Sequence, residues 1–240
     1  MNWRARPRFR NERVWAAMLK VERLGLGRAG RMVISDIGFE VAPGWALQVR
    51  GPNGSGKTTL LRMLAGLLAP SVGTVRWNGE DTRVSPSRWR RVLSYVAHAN
   101  GVSDDLTVQE NLDFAAALDG GTARADTGAT GASGLECADT FDAGDILAHA
   151  GLERWRHARA GQLSQGQRRR IALVRLVLQR KPLWLLDEPA TALDHTASLW
   201  FHEALARHLQ AGGMVVAGVH QPLAIATERT RYLDLARSTQ

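Results

Sequence analysis

One run of eight residues constrains this chain more than its composition does. Gly51, Pro52, Asn53, Gly54, Ser55, Gly56, Lys57 and Thr58 follow one another between a short apolar run, 46–50, and a segment, 60–68, that carries Leu60, Leu61, Leu64 and Leu68 at helical spacing. The run satisfies G-x-x-x-x-G-K-[ST] in full, in the strand, loop, helix setting that gives the motif meaning. Glycines let the main chain wrap a phosphate chain with successive N–H groups pointing inward, at a helix N-terminus whose dipole also favours anions. Lys57 is the residue expected to neutralise β- and γ-phosphates, Thr58 is expected to offer its hydroxyl to Mg²⁺, and the cradle is taken to extend through Thr59.

The rest of the chain reads as a frame for that loop. Strands are expected at 18–24, 46–50, 74–77 and 93–97, and helices at 108–118 behind a Thr107 cap, around 146–150, and along 166–180. Residues 183–186 form an unbroken apolar run that ends in Asp187 and Glu188, and 214–219 repeats the design and ends in His220. Apolar strands that alternate with helices and end in polar groups indicate a doubly wound α/β core with a mainly parallel sheet. Asp187 at a strand end is placed to hold the metal, and Glu188 beside it to act as general base on a water.

Composition narrows what remains. A 45% apolar content supplies a buried core, and the net charge of +8 is uneven, since residues 1–17 hold five Arg against one Glu and so contribute half of it. That basic stretch is expected to be a dispensable, unstructured extension, without the apolar core of a signal peptide. Residues 119–140 include 15 Gly, Ala, Ser or Thr out of 22, a flexible insertion by composition. Cys137 is the one cysteine, which excludes an intramolecular disulfide and favours a reducing compartment. No apolar stretch approaches the roughly 18 to 20 residues of a membrane span, so membrane contact is expected through partners. Eight tryptophans are scattered rather than interleaved with basic residues, which favours packing and gives no reason to expect nucleic acid.

Leu163-Ser164-Gln165-Gly166-Gln167 ahead of a basic helix brings the motifs to a family. Together with the phosphate loop, Leu185-Leu186-Asp187-Glu188-Pro189, Ala192-Leu193-Asp194 and His220, in this order, it resembles the ATP-binding-cassette ATPases over roughly 18–235. The resemblance implies a P-loop NTPase core with an added antiparallel β region and a helical subdomain at about 98–180, all within one cassette domain at 18–240. It implies ATP as substrate with Mg²⁺, and a catalytic set of Glu188, Lys57 and His220. Ser164, Gly166 and Gln167 would close over a nucleotide held by a second cassette, with Asp194 in the D-loop. One phosphate loop and one signature per chain imply a dimer, and partners in the form of integral membrane transporter subunits.

Within that family the wording is similar to the ATPase subunit of the bacterial haem exporter of cytochrome c maturation, notably at 51–57, at 94–98, at 182–189, and at 212–216 followed by His220-Gln221-Pro222-Leu223. The expected location is then the cytoplasmic face of the inner membrane. Two positions depart from the general cassette pattern: Arg28 stands where an adenine-stacking aromatic is usual, and His98, followed by Ala99, where the Q-loop glutamine is usual. His149, His157, His195, His202 and His208 fall on or near helices at spacings that suit a surface helix better than a ligand set. The rivals are the ATPase of another exporter, a soluble cassette acting on ribosomes or DNA, and a small-molecule kinase, in which the signature would have no role.

Overall fold

The computed structural model describes residues 18–28, 31–118 and 143–235, so the basic extension at 1–17 and the insertion expected at 119–140 lie outside the described residues. Nine strands are present among them: β1 (Leu19–Arg28), β2 (Arg31–Val41), β3 (Ala46–Arg50), β4 (Val72–Trp77), β5 (Glu80–Asp81), β6 (Leu93–Val96), β7 (Leu183–Asp187), β8 (Met214–Gly218) and β9 (Thr230–Asp234). The helices are α1 (Lys57–Leu64), α2 (Pro86–Val92), α3 (Val108–Leu118), α4 (Ala143–His149), α5 (Gln165–Leu178) and α6 (His195–Gln210). One sheet is antiparallel in the order β2-β1-β4-β5, and the other is parallel in the order β6-β7-β8-β3-β9. This α/β fold, a parallel sheet with an added antiparallel sheet and helices, matches the one expected.

The parallel sheet divides the interior in two because successive side chains on a strand face opposite ways. Leu183 and Leu185 of β7 and Met214 and Val216 of β8 join the core that holds α1 and the inner face of the antiparallel sheet. Trp184, Leu186, Val215 and Ala217 join a second core with Phe201, Leu205 and Leu209 of α6. Helix α5 belongs to two cores at once: Leu173 and Leu176 face the sheet, whereas Ile171 and Val174 pack against Val108 and Leu112 of α3 and Leu147 of α4. It is therefore the mechanical link between the helical region and the sheet.

Three local departures from expectation have physical causes. Helix α1 begins at Lys57 and stops at Leu64, short of Leu68, because Gly66 turns left-handed at φ 71° and the N–H groups of Gly66 and Leu67 fold back onto the carbonyls of Met63 and Arg62; the freed Leu64 carbonyl accepts from the indole N–H of Trp89 of α2 at 2.9 Å. Strand β2 has no regular two-residue signal in the sequence, because its pairing with β1 slips between Val21 and Leu24, between Leu24 and Leu26, and between Leu26 and Gly27, which breaks the alternation. His208 is not a surface histidine. Its ring stacks on Trp184, with centroids 3.8 Å apart and planes 5° from parallel, and a Cβ on Gly213 would come within 2.2 Å of it.

Two buried side-chain amides pin main-chain segments of the interior. Gln48 of β3 is fully buried, and its amide donates to the Leu223 carbonyl at 3.2 Å while accepting from the Leu223 N–H at 2.9 Å. Asn111 of α3 accepts from the Ser103 N–H and donates to the carbonyls of Ser103, Leu106 and Thr107, pinning the segment before the helix. Among the described residues no helix is long and apolar enough to cross a membrane.

Burial drives the His208 pKa down from the ordinary 6.5 to about 4, against a smaller opposite effect of the Met214 carbonyl. The neutral ring is the form the fold prefers, so its contribution is complete above pH 6.5 and drains away as the pH falls from there to 4. Chemical denaturation at pH 7 and pH 4.5 is expected to show wild type losing about 1–3 kcal/mol more stability than His208→Phe, which keeps the stacked ring and cannot take up the proton. Equal losses in the two proteins would remove His208 as the source of acid lability.

Candidate functional site

The site is assembled where β3, β7 and β8 end, because in a parallel sheet adjacent strands deliver their carboxyl ends to the same edge. Past β3, Gly51, Gly54 and Gly56 all have positive φ, at 148°, 78° and 100°, which non-glycine residues rarely adopt. At Gly51 a Cβ would come within 2.5 Å of the Ser55 hydroxyl. The loop therefore closes tightly over its own serine, with Pro52, Asn53 and Gly54 exposed on the outside. The first helical hydrogen bond of α1 runs from Leu60 N–H to Gly56 at 2.8 Å, so the N–H groups of Lys57, Thr58 and Thr59 have no carbonyl partner within the helix. This is an anion-binding arrangement.

Lys57 is buried and donates through Nζ to the carbonyls of Gly51 at 2.8 Å and Pro52 at 3.2 Å, spanning the loop from within. The Thr58 hydroxyl donates to Asp187 Oδ2 at 2.8 Å, and Asp187 is itself buried at the end of β7. Two hard oxygens side by side, one a carboxylate, fit Mg²⁺, which takes few protein ligands and completes its shell with phosphate and water. Glu188 follows in a left-handed conformation at φ 50°, and its Oε1 lies 3.1 Å from His220 Nε2. Lys57, Thr58, Asp187, Glu188 and His220 are thus one cluster built from three strand ends.

The signature residues form a second group. Ser164 caps α5, accepting from the Gln167 N–H at 3.2 Å, while the Gln167 side chain accepts the Ser164 N–H at 2.8 Å. Gly166 has no room for a side chain, since a Cβ would meet the Ala192 carbonyl at 2.5 Å. Asp194 caps α6 through the Ala197 N–H at 2.9 Å and pairs with Arg170 of α5. Signature and D-loop are therefore one packed unit, with Ser164, Ala192 and Asp194 on an exposed face. Among the described residues no hydrogen bond joins this unit to the phosphate loop of the same chain. His98 is exposed in the turn after β6. The side chain of Arg28 lies outside the described residues.

Two positions were invisible to sequence reasoning. Gly218 at the end of β8 would place a Cβ 3.3 Å from Lys57 Cβ and 3.5 Å from Asp187 Oδ1, so the cluster closes over a bare backbone. Arg169 of α5 is buried, and burial lowers its pKa while the nearby Asp187 and Glu188 charges act the other way. It stands within a run of three arginines, 168–170, and nothing in that run marks which one turns inward.

A phosphate-cradling loop backed by an acidic strand end, with a signature helix beside it, defines a nucleotide-hydrolysing cassette. The chain belongs to the ABC transporter family, whose model matches residues 34–191, and it is an ATPase of that family. It is 55% identical over 225 residues to the cytochrome c biogenesis ATP-binding export protein CcmA of Paraburkholderia xenovorans, an alignment that covers 92% of this chain and 98% of that one. An ATP-binding subunit of an ABC transporter superimposes with a TM-score of 0.72 at 25% identity, covering 90% of this chain and 85% of the other. A dimeric ATP-binding cassette in a post-hydrolysis state with ADP and Pi superimposes at 0.66 with 23% identity, covering 85% and 88%.

Gly166→Ala is expected to force the Ala192 carbonyl outward and so to separate the signature from the D-loop. Steady-state ATPase activity should fall by about tenfold or more, because small misplacements of a catalytic constellation are costly. ATP binding to the isolated chain, read by titration, should be unchanged, since the phosphate loop is untouched. Wild-type turnover in Gly166→Ala would mean that the close packing has no catalytic part.

Proposed function

We propose that this chain is the ATP-hydrolysing subunit of an exporter that serves cytochrome c biogenesis, with haem export or haem-dependent assembly as the work it powers. The observation that carries the chemical part is the cluster at the strand ends, in which a buried lysine, a hydroxyl beside a carboxylate, and a glutamate beside a histidine converge. The likeness to a cytochrome c biogenesis export protein over nearly the full length of both chains supports the cargo.

In this reading ATP lies along the phosphate loop from Gly51 to Thr59, its phosphates taken up by the open N–H groups at the start of α1, those of Lys57, Thr58 and Thr59, and by the Lys57 side chain. Thr58 and Asp187 hold Mg²⁺, which when bound neutralises charge on the β- and γ-phosphate oxygens. Glu188 accepts the proton of the attacking water, and His220 holds the glutamate carboxylate in place from 3.1 Å. Phosphoryl transfer asks for position and charge neutralisation more than for covalent chemistry, so this small set suffices. His98, in the turn after β6, takes the place of the Q-loop glutamine.

Ser164, Gly166, Gln167 and Asp194 stand on the exposed signature face, which suits closure over a nucleotide bound to a second copy of the chain. The working unit is then a homodimer with two composite sites, attached at the cytoplasmic face of the inner membrane to integral membrane subunits. The dimeric cassette of the same fold supports that arrangement.

Glu188→Gln keeps side-chain volume and removes the proton acceptor. Its turnover is expected to fall by about 100-fold or more with ATP affinity intact, and sizing in ATP should show a trapped dimer. Turnover at the wild-type rate would overturn the assignment of the base. For the cargo, affinity purification from native membranes in mild detergent is expected to return integral membrane subunits, and addition of haem to the purified assembly should stimulate ATP hydrolysis. Recovery of a transporter whose ATPase responds to another compound and not to haem would overturn the cargo assignment.

A further inference from the structure

Arg169 carries five hydrogen-bond donors on one planar group, and all five are used. Nε donates to the Pro189 carbonyl at 3.2 Å. Nη2 donates to the carbonyls of Asp187 at 2.6 Å and Glu188 at 2.8 Å. Nη1 reaches the other way, to the Ala97 carbonyl at 2.7 Å and Asn100 Oδ1 at 3.0 Å. One side chain of α5 thus joins two segments distant in sequence, the end of β7 with its base and the turn after β6 that carries His98.

None of the five acceptors is a carboxylate, so the guanidinium is not spent on an ion pair. Four of its bonds go to main-chain carbonyls at the sheet edge where the cluster forms, and the fifth to the side-chain amide oxygen of Asn100. Glu188 has φ 50°, a backbone conformation that costs free energy in a residue with a side chain and persists only where its surroundings over-determine it. Three bonds supply that determination: the Glu188 N–H donates to Gly218 at 2.9 Å, and its carbonyl accepts from Arg169 at 2.8 Å and from the Thr191 N–H at 3.2 Å. Without Arg169 the Glu188 carbonyl keeps only the longer bond from Thr191, so the peptide after Glu188 is held less firmly and the left-handed conformation that aims the carboxylate is less well determined.

We propose that Arg169 is a positioning residue for hydrolysis, which holds the backbone of Glu188 in its left-handed conformation and fixes the turn at 97–100 to the same point. The inference rests on the reading of Glu188 as the base. It specifies a guanidinium and not merely a cation: a lysine ammonium presents its donors from a single nitrogen and cannot bridge acceptors that lie on opposite sides of a planar fork.

The test is a kinetic cycle on full-length protein in which Arg169→Lys, Glu188→Gln and the double variant are compared for kcat, KM and ATP affinity. Arg169→Lys is expected to lower kcat by about tenfold or more with ATP affinity within about twofold of wild type, the pattern of an interaction needed in the transition state alone. In the Glu188→Gln background the same substitution should lower the residual rate by less than about twofold, because the group it positions is already disabled. A wild-type kcat in Arg169→Lys, an equal fold-loss in both backgrounds, or a loss confined to ATP affinity would each overturn the proposal. Should Arg169→Lys fail to fold, Asn100→Ala breaks one of the five bonds at modest cost. It is expected to lower kcat by about threefold with ATP affinity unchanged, and a wild-type kcat there would count against the proposal. Wild-type turnover in Glu188→Gln alone would refute the base assignment independently of Arg169, whereas an inactive Glu188→Gln beside a fully active Arg169→Lys would refute this inference only.

Discussion

Two backbone hydrogen bonds beyond the ends of the parallel strands hold the reactive groups together. Glu188 N–H donates to Gly218 at 2.9 Å, and Val219 N–H donates to Val49 at 3.0 Å. They extend the ladder of β7, β8 and β3 by one step at the edge where the chain would otherwise splay into loops. Because main-chain atoms make them, they bring the phosphate loop, the acidic pair and the segment leading to His220 to one place regardless of which side chains those segments carry. The order β7-β8-β3 in the sheet is what makes this possible, and the apolar runs that bury both faces of these strands enforce that order.

Much of this was legible in the chain itself. Strand β3 and helix α3 fall where the apolar run at 46–50 and the Thr107 cap put them, and α5, β7 and β8 agree to within two residues. These elements have strong local signals: continuous apolar runs for buried strands, Thr107 ahead of α3 and Ser164 ahead of α5. The phosphate loop needed only its glycine spacing. What could not be read depends on contacts distant in sequence. The slips of β2 against β1 erase the alternation that would betray a strand, and α2 has Pro86 at its start and three arginines around a single buried Trp89. His208 has the spacing of a surface histidine, and only the position of Trp184 on β7 turns it inward. Arg169 is indistinguishable in sequence from its neighbours Arg168 and Arg170, which reach Asp104 and Asp194 instead.

Helix α5 gathers these themes. Its N-terminal turn carries the signature serine and glycine, its next turn sends Arg169 into the sheet edge, and its remaining length is buried in two cores at once. A buried cation is costly to desolvate, and Arg169 recovers that cost through five neutral acceptors and the nearby acidic pair. The same helix therefore offers one end to solvent as a recognition face and commits the rest to rigidity. A rotation of α5 would be felt at Ala97, at Glu188 and at Ala192 together.

The reciprocal clamp between Gln48 and Leu223 has an evolutionary corollary. Gln48 bonds the main chain at position 223 and not a side chain, so the identity of the residue there is free to drift so long as it stays apolar and is not proline, which has no N–H to give. The converse freedom does not exist. Exchange of Gln48 for any residue without a reaching amide strands a buried N–H and a buried carbonyl, and no substitution in the segment between β8 and β9 that carries Leu223 can restore them. Of the two partners, one is replaceable and the other is held in place by a bond that its neighbour has no means to renegotiate.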